Sequence, residues 1–364
     1  MSTIKVQNIQ HTGSSTNAIA LASDGTCTAN LSNRQNRNLI INGAMEVAQR
    51  GTTSTSNGYQ TVDRFYINFA NTDEAPTQAQ ADVASGTTPY TLGFRKSFKI
   101  TNGNQTSGAG AADRMRLLYI VEAQDLAKSG WNYTDANSKI TLSFWIKSSV
   151  SQNFYFRVAT SDGTSYNFPM ETGVLTADTW TKVTKTISGN SNLAFNNDNG
   201  IGLYLSWAQY RGTDNTDSGV ALNTWTASGS GYTLFPDYTS TWYTTNDATW
   251  ELTGVQLEVG SVATDFEHRS FEEEEHRCFR YYQNFDNSIV YAGFSDGNTS
   301  SRLSLNFQYM RATRDIPSIS YNNQTTGSAI AARYTKKMAG IVVNTTNSRG
   351  GTGYITDILI DSEL

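Results

Sequence analysis

Between Trp207 and Trp250 the chain carries Trp207, Tyr210, Trp225, Tyr232, Phe235, Tyr238, Trp242, Tyr243 and Trp250. They stand among Gly, Ser, Thr, Asn and Asp, with one proline and no helical period. Flat rings beside amides, hydroxyls and carboxylates suit a sugar. The C–H face of a pyranose packs on the ring, and its hydroxyls exchange hydrogen bonds with the polar neighbours. A loop this long is seldom structureless unless it binds something. Trp225, Tyr232, Tyr238 and Trp242 are therefore the candidate glycan-binding residues. The alternative is that the same rings pin the loop to a sandwich or fill a subunit interface.

Chemistry that makes or breaks bonds has less to stand on. The three histidines are His11, His268 and His276, and none falls in a Ser/His/Asp, Cys/His or His-x-x-x-His arrangement. Glycan cleavage needs two placed carboxylates, and no Asp or Glu pair is singled out by its surroundings. A parallel β-helix repeat is absent from the sequence. Ser348-Arg-Gly-Gly-Thr-Gly353 lacks the lysine and following helix of a phosphate loop. Binding without catalysis is the expectation. Polysaccharide trimming is the enzymatic alternative, and a purely structural role without receptor binding is the other.

The elements that must hold such a loop are strands. Aromatics make up 12% of the 364 residues and apolar residues 38%, with abundant Gly, Ser, Thr and Asn, which suits a turn-rich all-β protein. Alternation marks strands at 64–69, 94–101, 114–122, 139–148, 153–160, 180–187, 202–207 and 250–259. Residues 117–131 are open to a helical turn as well. In the last strand Val255, Leu257 and Val259 share one phase while Trp250 and Leu252 take the other. A bulge at Gly254 would bring all five to one side. The period then changes. Ser270-Phe-Glu-Glu273 fits a capping box, which predicts a helix over 270–283 with the acidic run 272–275 in its first turns. Phe271, Cys278, Phe279 and Tyr282 form a stripe on it. That stripe either packs on the sandwich or joins copies of the chain, making Phe271, Cys278 and Tyr282 candidate oligomer contacts. Beyond it, alternating segments from 288 to 361 predict a second β unit.

A net charge of −5 with scattered Lys and Arg shows no basic stripe and argues against nucleic acid. No apolar run is long enough to span a membrane, and the N-terminus lacks the apolar core of a signal peptide. Synthesis in a cytoplasm is expected, with lysis as one route outward. Cys27 and Cys278 are far apart, so free thiols are expected. Short strands before residue 37 have too little to bury and need partners, either other copies of the chain or another protein.

The strings NRNLIINGAMEVAQRG (36–51) and LTGVQLEVGSVATDFEHRSFEEEEHRCFRYYQ (252–283) resemble the carbohydrate-binding-module-like jelly-roll domain of phage tail-fibre proteins, those of cyanobacterial phages especially. The opening IKVQNIQHTG and the later MRATRDIPSIS resemble segments of the same proteins. The resemblance covers roughly residues 1–320. It implies a leader at 1–36 for attachment and trimerisation, a jelly roll at 37–269, a connecting helix at 270–283 and a smaller C-terminal β-sandwich at 284–364. It also implies a virion tail fibre, homotrimeric, docked through its leader onto a tail or adaptor protein and meeting host surface polysaccharide or lipopolysaccharide. Modules with this opening often hold one structural calcium between first and last strands. The matching positions are Asn42 or Glu46 and Glu258; no other cofactor is implied.

Overall fold

The computed structural model describes residues 5–15, 17–21, 23, 27–29, 36–228, 234–285, 289–293, 300–306, 318–323, 330–335, 338–344 and 351–363. The fold is all-β, as expected, and every strand pair described is antiparallel. A small leader sheet joins β1 (Asn8–Ile9), β2 (Ile19–Leu21) and β3 (Cys27–Ala29).

The jelly-roll sandwich follows, built from β4 (Thr53–Ser54), β5 (Phe65–Ala70), β6 (Thr77–Asp82), β7 (Lys96–Thr101), β8 (Arg114–Glu122), β9 (Lys139–Ser148), β10 (Asn153–Thr160), β11 (Tyr166–Val174), β12 (Thr181–Ser188), β13 (Ile201–Arg211), β14 (Thr226–Ala227) and β15 (Thr249–Val259). One sheet has the order β14-β11-β10-β13-β8-β5 and the other β12-β9-β15-β7-β6-β4. The strands alternate as a two-faced sheet requires. In β9, Ile140, Leu142, Phe144 and Ile146 are buried between the sheets, and Trp145 lies half-buried on the outside. Phe144 meets Phe156 and Trp207 edge-on, with ring centroids 5.0 and 5.7 Å apart, so the two sheets interlock through aromatic rings. Each buried Leu, Ile or Phe contributes about 1.5–3 kcal/mol.

Strands β6 and β11 escape the sequence pattern. β6 reads Thr-Gln-Ala-Gln-Ala-Asp and offers little apolar alternation. β11 contains Pro169, which β11 tolerates because its outer neighbour β14 pairs only with Tyr166 and Asn167.

The bulge in β15 is where the sequence places it. Gly254 has φ +63°, and the register with β9 shifts between Thr253 and Gln256. Trp250, Leu252, Val255 and Leu257 all enter the core, while Val259, the fifth of the set, stays 39% exposed. Against this bulge sits the turn at Asn42-Gly43. A Cβ on Gly43 would lie 2.1 Å from the Val255 carbonyl, so only glycine fits. Val255 N–H donates to Gly43 O at 2.9 Å, Leu39 N–H to Leu257 O at 2.9 Å, and Leu257 N–H to Asn38 Oδ1 at 3.0 Å. The two strings that carry the family resemblance are thus each other's partners.

After the sandwich, α1 (Phe271–Cys278) starts at Ser270, whose hydroxyl accepts from Glu273 N–H at 3.2 Å. This helix is shorter than expected, because Tyr282 already belongs to β16 (Tyr282–Phe285), which pairs with the strand Gly351–Asp361. The oligomer stripe is corrected accordingly. Cys278 and Tyr282 are buried within a single chain, leaving only Phe271 exposed, at 55%. The acidic run is divided too, since Glu274 turns inward and accepts from the Asn42 N–H. A four-stranded and a three-stranded sheet account for the described C-terminal strands.

Ser362 and Glu363 return to the sandwich. Arg64, fully buried, pairs with Glu363, and its guanidinium lies 3.3 Å from the Tyr281 ring centre. Arg50 reaches Asp361 at 3.0 Å and Glu363 at 3.5 Å, over the ring of Tyr282. Arg280 pairs with buried Glu122 at 2.7 Å, and Arg269 lies 3.4 Å from both Glu267 and Glu274. We call this paired network the clasp.

Candidate functional site

The aromatic segment faces inward. Trp242 is wholly buried, and its Nε1–H donates to Thr249 O at 3.0 Å. Trp225 packs on Phe168 and donates to Ser188 O at 2.7 Å. Tyr238 is half-buried, with its hydroxyl turned toward the Tyr155 and Ala208 carbonyls. Tyr243 stacks on Tyr210 at 4.2 Å inside the core. The reading of Trp225 and Trp242 as a sugar platform is therefore corrected: an indole closed in by protein has no face left for a ligand. The rings gain more by extending the core than by facing water. Tyr232 lies outside the described residues.

The residues matched to calcium are engaged with protein. Asn42, with φ +61°, donates through its amide to Val47 O and Asp63 O, and its Oδ1 accepts from Val47 N–H. Glu258 accepts from Thr264 N–H, Thr264 Oγ1 and Gln256 Nε2, with Arg37 at 3.6 Å. Glu46 is half-buried, and burial raises its pKa against the opposing pull of Lys96. Among the described residues no group of three or more His, Cys, Asp or Glu is placed to hold a metal ion.

The larger opening lies elsewhere, on the solvent side of the sheet containing β8, β10 and β13. There a cleft of about 460 Å³ is lined by Arg114, Arg116, Leu118, Arg157, Tyr204, Arg211, Asn215 and Leu234. Strand register assembles it. Arg157 on β10 pairs with Ser206 on β13, and Ser206 with Leu118 on β8, giving one row across three strands. Ala208 opposite Arg116 gives the next row, and Arg211 opposite Arg114 a third. A bulge between Ala208 and Tyr210, at Gln209, sets the last row. It lets Tyr210 enter the core while the following Arg211 joins the cleft.

Among the described residues, no Asp or Glu oxygen lies within 4.0 Å of any of these four guanidinium groups. Their neighbours are neutral. Arg157 donates to Asn167 Oδ1, and Arg116 to Asn68 Oδ1 at 3.3 Å. Arg157 and Arg211 also flank the buried Phe235 ring, at 5.7 and 5.3 Å. The Nε atoms of Arg114, Arg157 and Arg211 and the hydroxyl of Ser206 are buried without a hydrogen-bond partner. Burial, then Arg211 and Arg116, push the Arg157 pKa down to about 9; burial, then Arg116, push Arg211 down to about 10. Arg157 and Arg211 stay charged at neutral pH, each at the expense of the neighbouring arginines.

None of these four arginines stands out in the sequence. Each occupies the polar phase of its strand, as in Arg-Met-Arg-Leu-Leu at 114–118, and only strand order brings them together. A smaller hollow of about 120 Å³ on the opposite sheet is lined by Trp145, Phe94, Phe266 and His268 among others.

No family model matches the chain, and no curated protein matches it. Among solved structures, it is similar to the enzymatically active domain of tailspike protein 4 from bacteriophage CBA120. The identity is 8%, over 61% of this chain and 21% of that one, with a TM-score of 0.34. The match thus spans about a fifth of the tailspike chain. A putative sugar binding protein from Bacteroides thetaiotaomicron is similar at 11% identity, over 62% of this chain and 100% of that one, with a TM-score of 0.34. A CBM4 structure gives 13%, 60% and 98%, with a TM-score of 0.31.

Proposed function

We propose that the chain is a glycan-binding tail-fibre or receptor-binding protein of a phage, acting by attachment without cleavage. One observation carries the glycan reading: an open cleft on the outer face of a rigid sheet, lined by guanidinium and amide donors around the half-exposed ring of Tyr204. Such a lining offers hydrogen bonds to hydroxyls and a flat surface to a sugar ring. Among the described residues the cleft lining contains no Asp or Glu, which supports binding over hydrolysis. The interlocked segments 36–51 and 252–268 support the tail-fibre assignment, since the resemblance rests on both. Three copies, joined through leaders docked on a tail or adaptor protein, would turn weak contacts into firm attachment by making the second and third intramolecular.

Glycan-array binding combined with mass photometry tests this reading. We expect a trimer that binds surface polysaccharide, and at least a tenfold loss in Tyr204→Ala with the oligomer mass unchanged. A folded trimer that binds no glycan would leave the structural tail role in its place.

A further inference from the structure

Building on the glycan reading, we propose that the cleft selects acidic glycans, with a carboxylate, sulfate or phosphate of the ligand seated between Arg157 and Arg211. Buried cations in proteins are normally paired. Here Arg157 is 9% and Arg211 3% exposed, and neither faces a carboxylate among the described residues. The Nε atoms of Arg157 and Arg211 are donors without an acceptor. Arg157 and Arg211 both line the cleft, so their guanidinium groups address the same space. The planar fork of arginine matches the oxygens of such a group two at a time. An entering anion would relieve the mutual repulsion of the four cations and satisfy the orphaned donors together.

The surroundings favour a glycan over a nucleic acid. The four arginines form one compact group, the whole chain carries −5, and the remaining Lys and Arg are scattered along the sequence rather than gathered into a basic stripe. Leu118, Leu234 and Tyr204 bound the cations with apolar and aromatic surface, against which the rest of a sugar residue can lie.

The test is a glycan array probed with the full chain. It should carry uronic, sialic, sulfated and phosphorylated glycans beside neutral counterparts, with poly(A) RNA as a separate polyanion. We expect acidic glycans to bind at least roughly tenfold more tightly than their neutral counterparts, the scale of one charge-assisted hydrogen bond. Arg157→Gln and Arg211→Gln should each erase that preference, and added salt should weaken it. Whether carboxylated or phosphorylated spots respond identifies the source of the anion. Binding to neutral glycans alone would overturn the selectivity and leave the glycan reading standing, whereas binding to none would overturn both. Equal affinity for poly(A), or full selectivity kept by a folded Arg157→Gln, would also overturn it. If Arg157→Gln fails to fold, the half-exposed Arg116→Gln gives the same readout.

Discussion

Two groups of four arginines, one on an outer face of the sandwich and one where the following segment docks onto it, have opposite surroundings. In the clasp, Arg50, Arg64, Arg269 and Arg280 each meet at least one carboxylate within 4.0 Å. In the cleft, Arg114, Arg116, Arg157 and Arg211 meet none among the described residues. Burial alone would lower the Arg64 pKa, yet Glu363 holds it well above its ordinary value; Arg157 is depressed. The clasp treats charge as structure: it ties the segment after the sandwich back onto the sheet. The cleft holds charge with no internal counterpart, and that difference is the physical case for an external ligand.

The largest effect should come from breaking the clasp. Arg64→Ala removes one of the cations paired with Glu363, whose side chain is nearly buried. A loss of about 3–5 kcal/mol is expected from denaturant unfolding, as for other severed buried ion pairs. A loss below about 1 kcal/mol would mean that the network does not bind the two ends together.

The second effect is set by pH. Burial, its largest cause, raises the Asp63 pKa from 3.8 to about 6 in spite of Arg50. A carboxyl raised on folding contributes stability that is complete below its unfolded value and lost as pH climbs through about 6. Glu122 has the opposite sign. Burial pushes it up, but the hydrogen bonds from Arg280 and Tyr281 outweigh that and hold it low, so its contribution is lost on acidification. Asp63→Asn should remove the decline in unfolding midpoint between roughly pH 4 and pH 6; an unchanged profile would refute this assignment. Arg157 and Arg211 stay charged over that window and should add nothing to it.

The smallest effect should come from the cleft. Arg157→Met gives up the bond to Asn167 but also the repulsion from Arg211 and Arg116. Stability should stay within about 1 kcal/mol of the parent, as when unfavourable buried charge is replaced by an apolar isostere. A loss like that of Arg64→Ala would show Arg157 to be structural, and the contrast between the two groups would fail.

What the sequence made readable follows from distance along the chain. Local rules anticipated the Gly254 bulge, the Ser270 cap, the helical turn after Glu122 and most strands, because each is set by residues close together. The helix was drawn too long because the apolar spacing continues to Tyr282, while long-range pairing with Gly351–Asp361 claims that residue for a strand. The aromatic loop looked like a sugar platform because ring content does not say which way a ring faces. The cleft was invisible for the complementary reason. Its arginines lie on three strands, as far apart as positions 114 and 211, and no linear spacing marks them.

The position of Glu363 also orders events during translation. Residues 36–259 leave the ribosome well before Asp361 and Glu363, so a nascent sandwich holds Arg64 without Glu363 while Arg50 faces Asp63 at 3.7 Å. A polypeptide interrupted before residue 361 would stay in that state, with Tyr281 and Tyr282 deprived of the strand that covers them. Chains interrupted there would thereby be more open to proteolysis than chains that carry Glu363.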